Sequence, residues 1–305
     1  MLEISKTGGR TSLNLEKSNS QFYQEMKIIK KIHKAEYRPI DDLVTYSPMP
    51  TRSLSMIDPF LFLNHHGLQT YPQHNHGLPF GPHPHRGMET VTFILEGDIM
   101  HSDSTGKNSV IGPGGVQYMT AGKGLIHAEV SSPEFKRKGG ELEILQLWLN
   151  LPASKKMIAP NYIGLQKEEI PYFELDQGKV RVQQLFGEWN GVKGAFEGNF
   201  PIQMSTIYLD KGGRFEKVVP APENVFFYIV RGELKVNGEE LVMRHLIEFA
   251  NTGEKIAVEA LEDSILILGH ALPFNEPVVA QGPFVMNTQQ QIYEAYQDYQ
   301  AGKFA

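Results

Sequence analysis

The 305-residue chain contains no cysteine. A disulfide framework and thiolate metal sites are therefore excluded, and any metal must be held by histidine and carboxylate. There is no run of 18 apolar residues, and the N-terminus lacks the apolar segment of a secretory signal, so neither a membrane span nor a leader is expected. A basic excess is missing too. With a net charge of −6, nucleic acid is not expected as a direct partner. These absences predict a soluble intracellular protein, cytoplasmic, with the nucleus as a further compartment if the source is eukaryotic.

What is present is turn chemistry and apolar mass. The 29 glycines and 19 prolines, beside a hydrophobic content of 41%, favour a turn-rich β protein over a helical one. The length suits one large or two ordinary domains. Residues 1–26 are polar and read as an extension with little core, with a short helix over 20–27. From Met26 the pattern is strand-like. Short β-branched and aromatic runs recur at 90–95, 116–119 and 141–151, separated by glycine turns. His65, His66, His74 and His76 lie among Gly67, Pro72, Gly77, Pro79 and Gly81, which predicts a loop lining a cavity mouth rather than a ligand set. Residues 152–185 read as a crossover broken by Pro152, Pro160 and Pro171. Residues 287–303 carry Ile292, Ala295, Tyr296 and Tyr299 at helical spacing, with Asn287 or Thr288 as N-cap, and predict an amphipathic docking helix.

The chemistry concentrates between Pro82 and Glu129. His83 and His85 form one pair of metal-capable side chains two residues apart, and His127 and Glu129 form another. In a strand, residues i and i+2 point to one face, so each pair would aim into one interior. Three imidazoles and a carboxylate suit iron, manganese, nickel or zinc. An H-x-H pair alone is a weak signal that a polar His-Pro loop also produces; the second pair, reached through strand-like sequence, argues against the loop. Pro84 lacks an N–H, which a strand tolerates only where that donor faces no partner, as at a barrel mouth.

The spacing His83-x-His85-x3-Glu89 with Gly97 resembles the first cupin motif, and Pro113-Gly114-Gly115 followed by Gly124-x-x-His127 resembles the second in lengthened form. More narrowly, residues 83–97, 119–124 and 127–129, then 145–152 and 282–288, resemble the pirin family, over most of residues 27–303. The resemblance implies an all-β fold of two tandem cupin (jelly-roll β-barrel) domains with a C-terminal helix: an extension over 1–26, a metal-binding cupin over 27–160 and a degenerate cupin over 161–305. It also implies an iron site of three histidines and one glutamate on His83, His85, His127 and Glu129. Fe(II) is the expected ion, one per chain, with Mn, Ni, Cu, Zn or Co as alternatives. The implied activity is that of quercetin 2,3-dioxygenase, with a flavonol and O2 as substrates and Glu129 as both ligand and proton acceptor. The alternative is a non-catalytic, metal- and redox-dependent regulator with a protein partner. Glu89 is expected to support the site from behind or to pair with Arg86. His101 reads as an ordinary strand histidine, and Lys123 as a solvated loop lysine.

The second half repeats the first. Setting Gly232 on Gly97 aligns residues 224–233 with 89–98, the signature of two copies of one barrel. The same offset sets His83 and His85 on Val218 and Pro220 and Glu89 on Asn224, and matching Gly253 to Gly124 sets His127 and Glu129 on Ile256 and Val258. The four ligand counterparts, Val218, Pro220, Ile256 and Val258, have side chains that cannot coordinate a cation, and the histidines of that half, His245 and His270, lie outside the pattern. Elemental analysis of the purified protein should find close to one metal ion per chain; a value near two, with the extra ion surviving His127→Ala, would contradict the assignment of a metal-free second barrel.

Overall fold

The apolar runs of this chain lack a clean alternation because both faces of their strands are covered. In the computed structural model, which describes residues 25–304, strand Met88–Glu96 is the pattern for the rest. Its Val91, Phe93 and Leu95 join a core shared with the other half of the chain. Ile94, on the opposite face, packs inside its own barrel. Strands Gly140–Asn150 and Phe60–Tyr71 divide their residues in the same way.

Two barrels result, each made of a seven-stranded and a four-stranded sheet. In the first, the large sheet runs in the order Asn161–Leu165, Val116–Thr120, Met88–Glu96, Gly140–Asn150, Phe60–Tyr71, Thr45–Met49, Glu36–Tyr37. It faces a small sheet of Phe80–His85, Leu125–Val130, Ile99–Asp103 and Asn108–Ile111. The second barrel repeats this order, with Asn224–Arg231 in the place of Met88–Glu96, as the internal repeat predicts. The two large sheets pack face to face through Phe60, Leu145 and Leu147 on one side and Met204, Phe226 and Ile267 on the other.

The expected boundary at residue 160 does not coincide with sheet membership. Ile29–Lys34 pairs with His245–Phe249 of the second barrel, whereas Asn161–Leu165 pairs with Val116–Thr120 of the first. Each half of the chain thus lends one edge strand to the other barrel. Asn161–Leu165 lies inside the expected irregular crossover; Pro160 directly precedes it, where a missing N–H costs an edge strand nothing. Of the expected extension and its short helix, all but residues 25–27 lie outside the described residues. Met26 there makes a parallel bridge to Lys255 rather than a helical turn.

Two α-helices and three short 3-10 turns complete the described residues. Helix α1, Pro133–Lys138, is capped by Ser132, which accepts from the Phe135 N–H. Helix α2, Gln289–Gln300, is capped as expected by Thr288, in a capping box with Gln291, and buries Ile292 and Ala295. The C-terminal segment docks on the first barrel, although sequence order assigns it to the second. The Val285 N–H bonds the Arg86 carbonyl at 3.0 Å, and the Phe304 ring lies against Gly124, where a Cβ would stand 2.8 Å from it. That close approach, with φ at +135°, requires glycine.

A polar group of five residues lies at the apolar contact between the barrels, with His65, Glu143 and Tyr228 buried and Arg231 and Glu96 half-buried. His65 Nε2 lies 3.0 Å from Glu143 Oε1 and His65 Nδ1 lies 2.9 Å from the Tyr228 hydroxyl. Arg231 Nε donates to Glu143 Oε2 at 2.6 Å, and its Nη2 pairs with Glu96 at 3.2 Å. Burial works to raise the Glu143 carboxyl, but His65 and Arg231 outweigh it and hold the group below its ordinary value. Removing one member strands the others in an apolar setting. Glu143→Ala should therefore cost about 3–5 kcal/mol in denaturant titration. The double substitution Glu143→Leu with Arg231→Leu should cost much less than the two single changes combined; simple additivity would show that the group is not coupled.

Candidate metal centre and cavity

Strand pairing brings the sequence-predicted side chains together. Phe80–His85 and Leu125–Val130 run antiparallel with His83 opposite His127. A register break after His127 sets Glu129 opposite Phe80. Phe80–His85 is the edge strand of its sheet, which accommodates Pro84. On its other side Leu125–Val130 pairs with Ile99–Asp103, with Glu129 opposite His101.

One ligand atom from each of His83, His85 and His127 lies within 4.8 Å of the other two. The Nδ1 of His83 lies 2.7 Å from the Gly81 carbonyl, and that of His85 lies 3.2 Å from the Pro283 carbonyl. A carbonyl only accepts, so Nδ1 carries the proton in both rings and Nε2 keeps its lone pair. His85 Nε2 and both ring nitrogens of His127 are buried with no hydrogen-bond partner. Buried polar atoms are seldom left unpaired, and orphaned imidazole nitrogens converging on one point fit a metal ion.

Glu129 stands beside this group, its Oε2 3.9 Å from His127 Nε2. Gln146 Nε2 donates to Glu129 Oε2 at 2.5 Å and the Thr92 hydroxyl donates to Oε1 at 3.2 Å. Gln146 is itself held, because Trp148 Nε1 donates to its Oε1 at 3.0 Å. Thr92, Gln146 and Trp148 were not legible as site residues. The available signal was a lone glutamine at alternating spacing within the apolar run 142–149.

The wall bearing His83, His85 and Glu129 opens onto a cavity of about 240 Å³ lined by Phe62, Leu78, Phe80, Ile144 and Trp148, with Gly282 and Pro283 of the C-terminal segment at its edge. Burial, and then the neighbouring His83, push His85 down to about 3. Burial, with His85, His83 and His101, holds His127 well below its ordinary value.

The other candidates separate. His65 and His66 belong to strand Phe60–Tyr71, not to a loop; the strand continues through Gly67 because it pairs along its length with Gly140–Asn150. His66 lines the cavity while His65 turns to the inter-barrel contact. His74 and His76 are exposed. Glu89 points away from the cavity and accepts from Tyr118, Thr120 and Asn199 at 2.6, 2.9 and 2.6 Å. Its expected partner Arg86 bonds Asp298 at 2.9 Å and the Lys123 carbonyl at 2.6 Å instead. Lys123 is exposed, as expected. His101 is buried, stacked on Tyr162 at 3.7 Å and bonded to Asp103 at 2.8 Å.

In the second barrel, Ile256 and Val258 pack into an apolar interior. Ile256 stands opposite Lys217, so the counterpart of His83 is Lys217 rather than the expected Val218. The second barrel holds one residue more than the first between this strand and the matched turn glycine, Lys217 to Gly232 against His83 to Gly97, which accounts for the slip. Lys217 is buried with its Nζ 4.3 Å from the Trp189 ring centroid.

Comparison with known proteins agrees over both barrels. The family model described as Pirin matches residues 42–149, and that described as Pirin C-terminal cupin domain matches residues 204–305. A pirin-like protein of Caulobacter vibrioides is 36% identical over 259 residues, 83% of this chain and 90% of its own. A pirin-like protein of Solanum lycopersicum is 34% identical over 93% of this chain and 95% of its own. Among solved structures, a quercetin 2,3-dioxygenase from Acinetobacter baumannii superposes with a TM-score of 0.85 at 33% identity, covering 92% of this chain and 99% of that one. The Escherichia coli pirin YhhW in complex with nickel(II) shares the fold, with a TM-score of 0.62 at 19% identity over 80% of this chain and 99% of its own. Among the described residues no helix is long and apolar enough to cross a membrane.

Burial, and then His65, hold His66 at about 3, so it is neutral in the folded protein at pH 7, as is His85. The unfolded chain binds those protons near pH 6.5. The stability from burying neutral rings is therefore complete above about pH 6.5 and is lost as pH falls toward 3. Chelator-treated protein should lose up to about 1.4 kcal/mol per pH unit per such histidine between pH 6 and 4. His66→Leu should give a shallower slope; an unchanged slope would mean that His66 is not buried neutral.

Proposed function

The chain belongs to the pirin family, and on that premise we propose that it is a metal-dependent dioxygenase acting on quercetin-type flavonols with O2, with Fe(II) as its ion. The observation that carries this reading is the convergence of three imidazoles, with His85 Nε2 and both His127 nitrogens buried and unpartnered, beside an aromatic-lined cavity. The likeness to the Acinetobacter baumannii quercetin 2,3-dioxygenase supports the reaction class.

His83 and His85 would hold the ion through Nε2, with His127 and Glu129 completing the set. The same donors suit Mn, Co, Ni, Cu or Zn. When bound, the ion supplies open coordination positions and redox capacity for a flavonol oxygen and for O2. The protein's own groups do the rest. Phe62, Phe80 and Trp148 present flat apolar surface to an aromatic substrate. Glu129 accepts the flavonol hydroxyl proton, and Gln146 and Thr92 keep its carboxylate oriented for this. Pro283 fixes the His85 tautomer and, with Gly282, narrows the cavity edge.

One observation favours the regulatory alternative. His85 contacts Pro283, and Arg86 contacts Asp298 on helix α2, so the ligand strand is tied directly to a surface that a protein partner could read.

Anaerobic iron loading followed by oxygen uptake with quercetin tests the enzyme: uptake, carbon monoxide release and bleaching should match. Full metal occupancy with none of these would favour the regulator. His83→Ala and His127→Ala should each abolish tight metal binding while the protein stays soluble. Glu129→Gln should retain more metal than either, since an amide oxygen still faces the ion, yet lose most turnover. Turnover comparable to the parent would remove the proton-accepting role.

A further inference from the structure

Phe62, Asn64 and His66 alternate along strand Phe60–Tyr71 and share the face that lines the cavity. Two polar side chains thus stand beside Phe62, Leu78, Phe80 and Ile144, with Gln146 opposite Asn64 in register, and neither is among the expected metal ligands. Their hydrogen bonds fix what each offers. The Ser47 hydroxyl donates to Asn64 Oδ1 at 2.6 Å. The Asn64 amide N–H groups make no hydrogen bond among the described residues, so Asn64 offers a donor. The Thr45 hydroxyl donates to the Leu43 carbonyl at 3.2 Å and so receives the Nδ1–H of His66, 2.9 Å away. The ring is held neutral by its burial, which leaves His66 Nε2 as an acceptor.

A donor and an acceptor side by side match a hydroxyl, which both gives and receives a hydrogen bond. A carbonyl or an ether would satisfy Asn64 alone, and a carboxylate would face the His66 lone pair unfavourably. We propose that Asn64 and His66 form a subsite for a hydroxyl on an aromatic ring, selecting hydroxylated ligands over the bare ring system. This deepens the dioxygenase reading, and rests on it only for the identity of the substrate. The subsite would make a ring hydroxyl a specificity determinant separate from the group that meets the ion, because a ligand lacking it leaves buried polar atoms unpaired.

The test is calorimetric titration of the intact, metal-loaded protein with two ligand pairs. One is kaempferol against 3-hydroxyflavone, which keeps the chelating group and lacks the ring hydroxyls; the other is 4-phenylphenol against biphenyl. The hydroxylated member of each pair should bind about tenfold or more tightly. His66→Leu and Asn64→Leu should each remove that preference while leaving 3-hydroxyflavone and biphenyl unchanged. His66→Gln, which still presents an acceptor, should restore part of it. No preference in the parent protein, or equal losses for both members of a pair in the variants, would overturn the subsite. If neither flavonol binds but 4-phenylphenol is preferred in a His66-dependent way, the subsite stands and the flavonol reading falls. If flavonols bind and turn over regardless of the ring hydroxyls and of His66, the subsite falls and the dioxygenase stands.

Discussion

Packing two seven-stranded sheets against each other obliges every central strand to bury both of its faces. One face must satisfy the neighbouring barrel and the other the barrel's own interior. The consequence in strand Phe60–Tyr71 is direct: Leu63 and His65 serve the contact between barrels, while Phe62, Asn64 and His66 serve the cavity. The same division holds in Gly140–Asn150, where Glu143 joins the ionic group between the barrels and Gln146, braced by Trp148, reaches Glu129. A rigid apolar slab thus backs the site along its whole width, which is the support a preorganised ligand set needs.

The two barrels show how one scaffold serves opposite ends. In the second, Val182, Phe227, Leu234, Ile256 and Val258 fill the interior with side chains. In the first, polar residues replace some of that volume, and a cavity remains beside them. Burying neutral imidazoles and an anchored carboxylate costs stability. The shared apolar core and the filled second barrel supply the offsetting burial.

The convergence of the candidate pairs was legible because its signal is local: an i, i+2 repeat on a strand says where two side chains point whatever the strand pairs with. The fold was legible from the glycine turns, the spacing of the strands and the internal repeat. What could not be read depends on partners distant in sequence. Gly67 and Pro72 look like loop punctuation around His65 and His66 until Gly140–Asn150 is seen to pair along that segment. Gln146 becomes a site residue only once its face is known. The off-by-one assignment of Val218 for Lys217 came from one additional residue between Lys217 and Gly232, which leaves no mark in composition. Helix α2 was recognisable from its cap and stripe, but not the barrel on which it docks, since that is set by Arg86, Phe284 and Phe304 meeting across the chain.

The reciprocal loan of edge strands makes the protein indivisible in a way its two-barrel outline conceals. A cut at residue 160 would strip the first barrel of Asn161–Leu165 and the second of Ile29–Lys34, opening the flanks of Val116–Thr120 and His245–Phe249 at once. Lys156 and Lys27, buried near these junctions, would lose their anchorage to the Val285 and Ala221 carbonyls on the other side of the cut. Each fragment would expose an unpaired strand edge, a surface that recruits other chains. Copies of this barrel brought together by duplication would therefore be locked in as a pair, so that the apolar-filled member persists as part of the edge that closes the other.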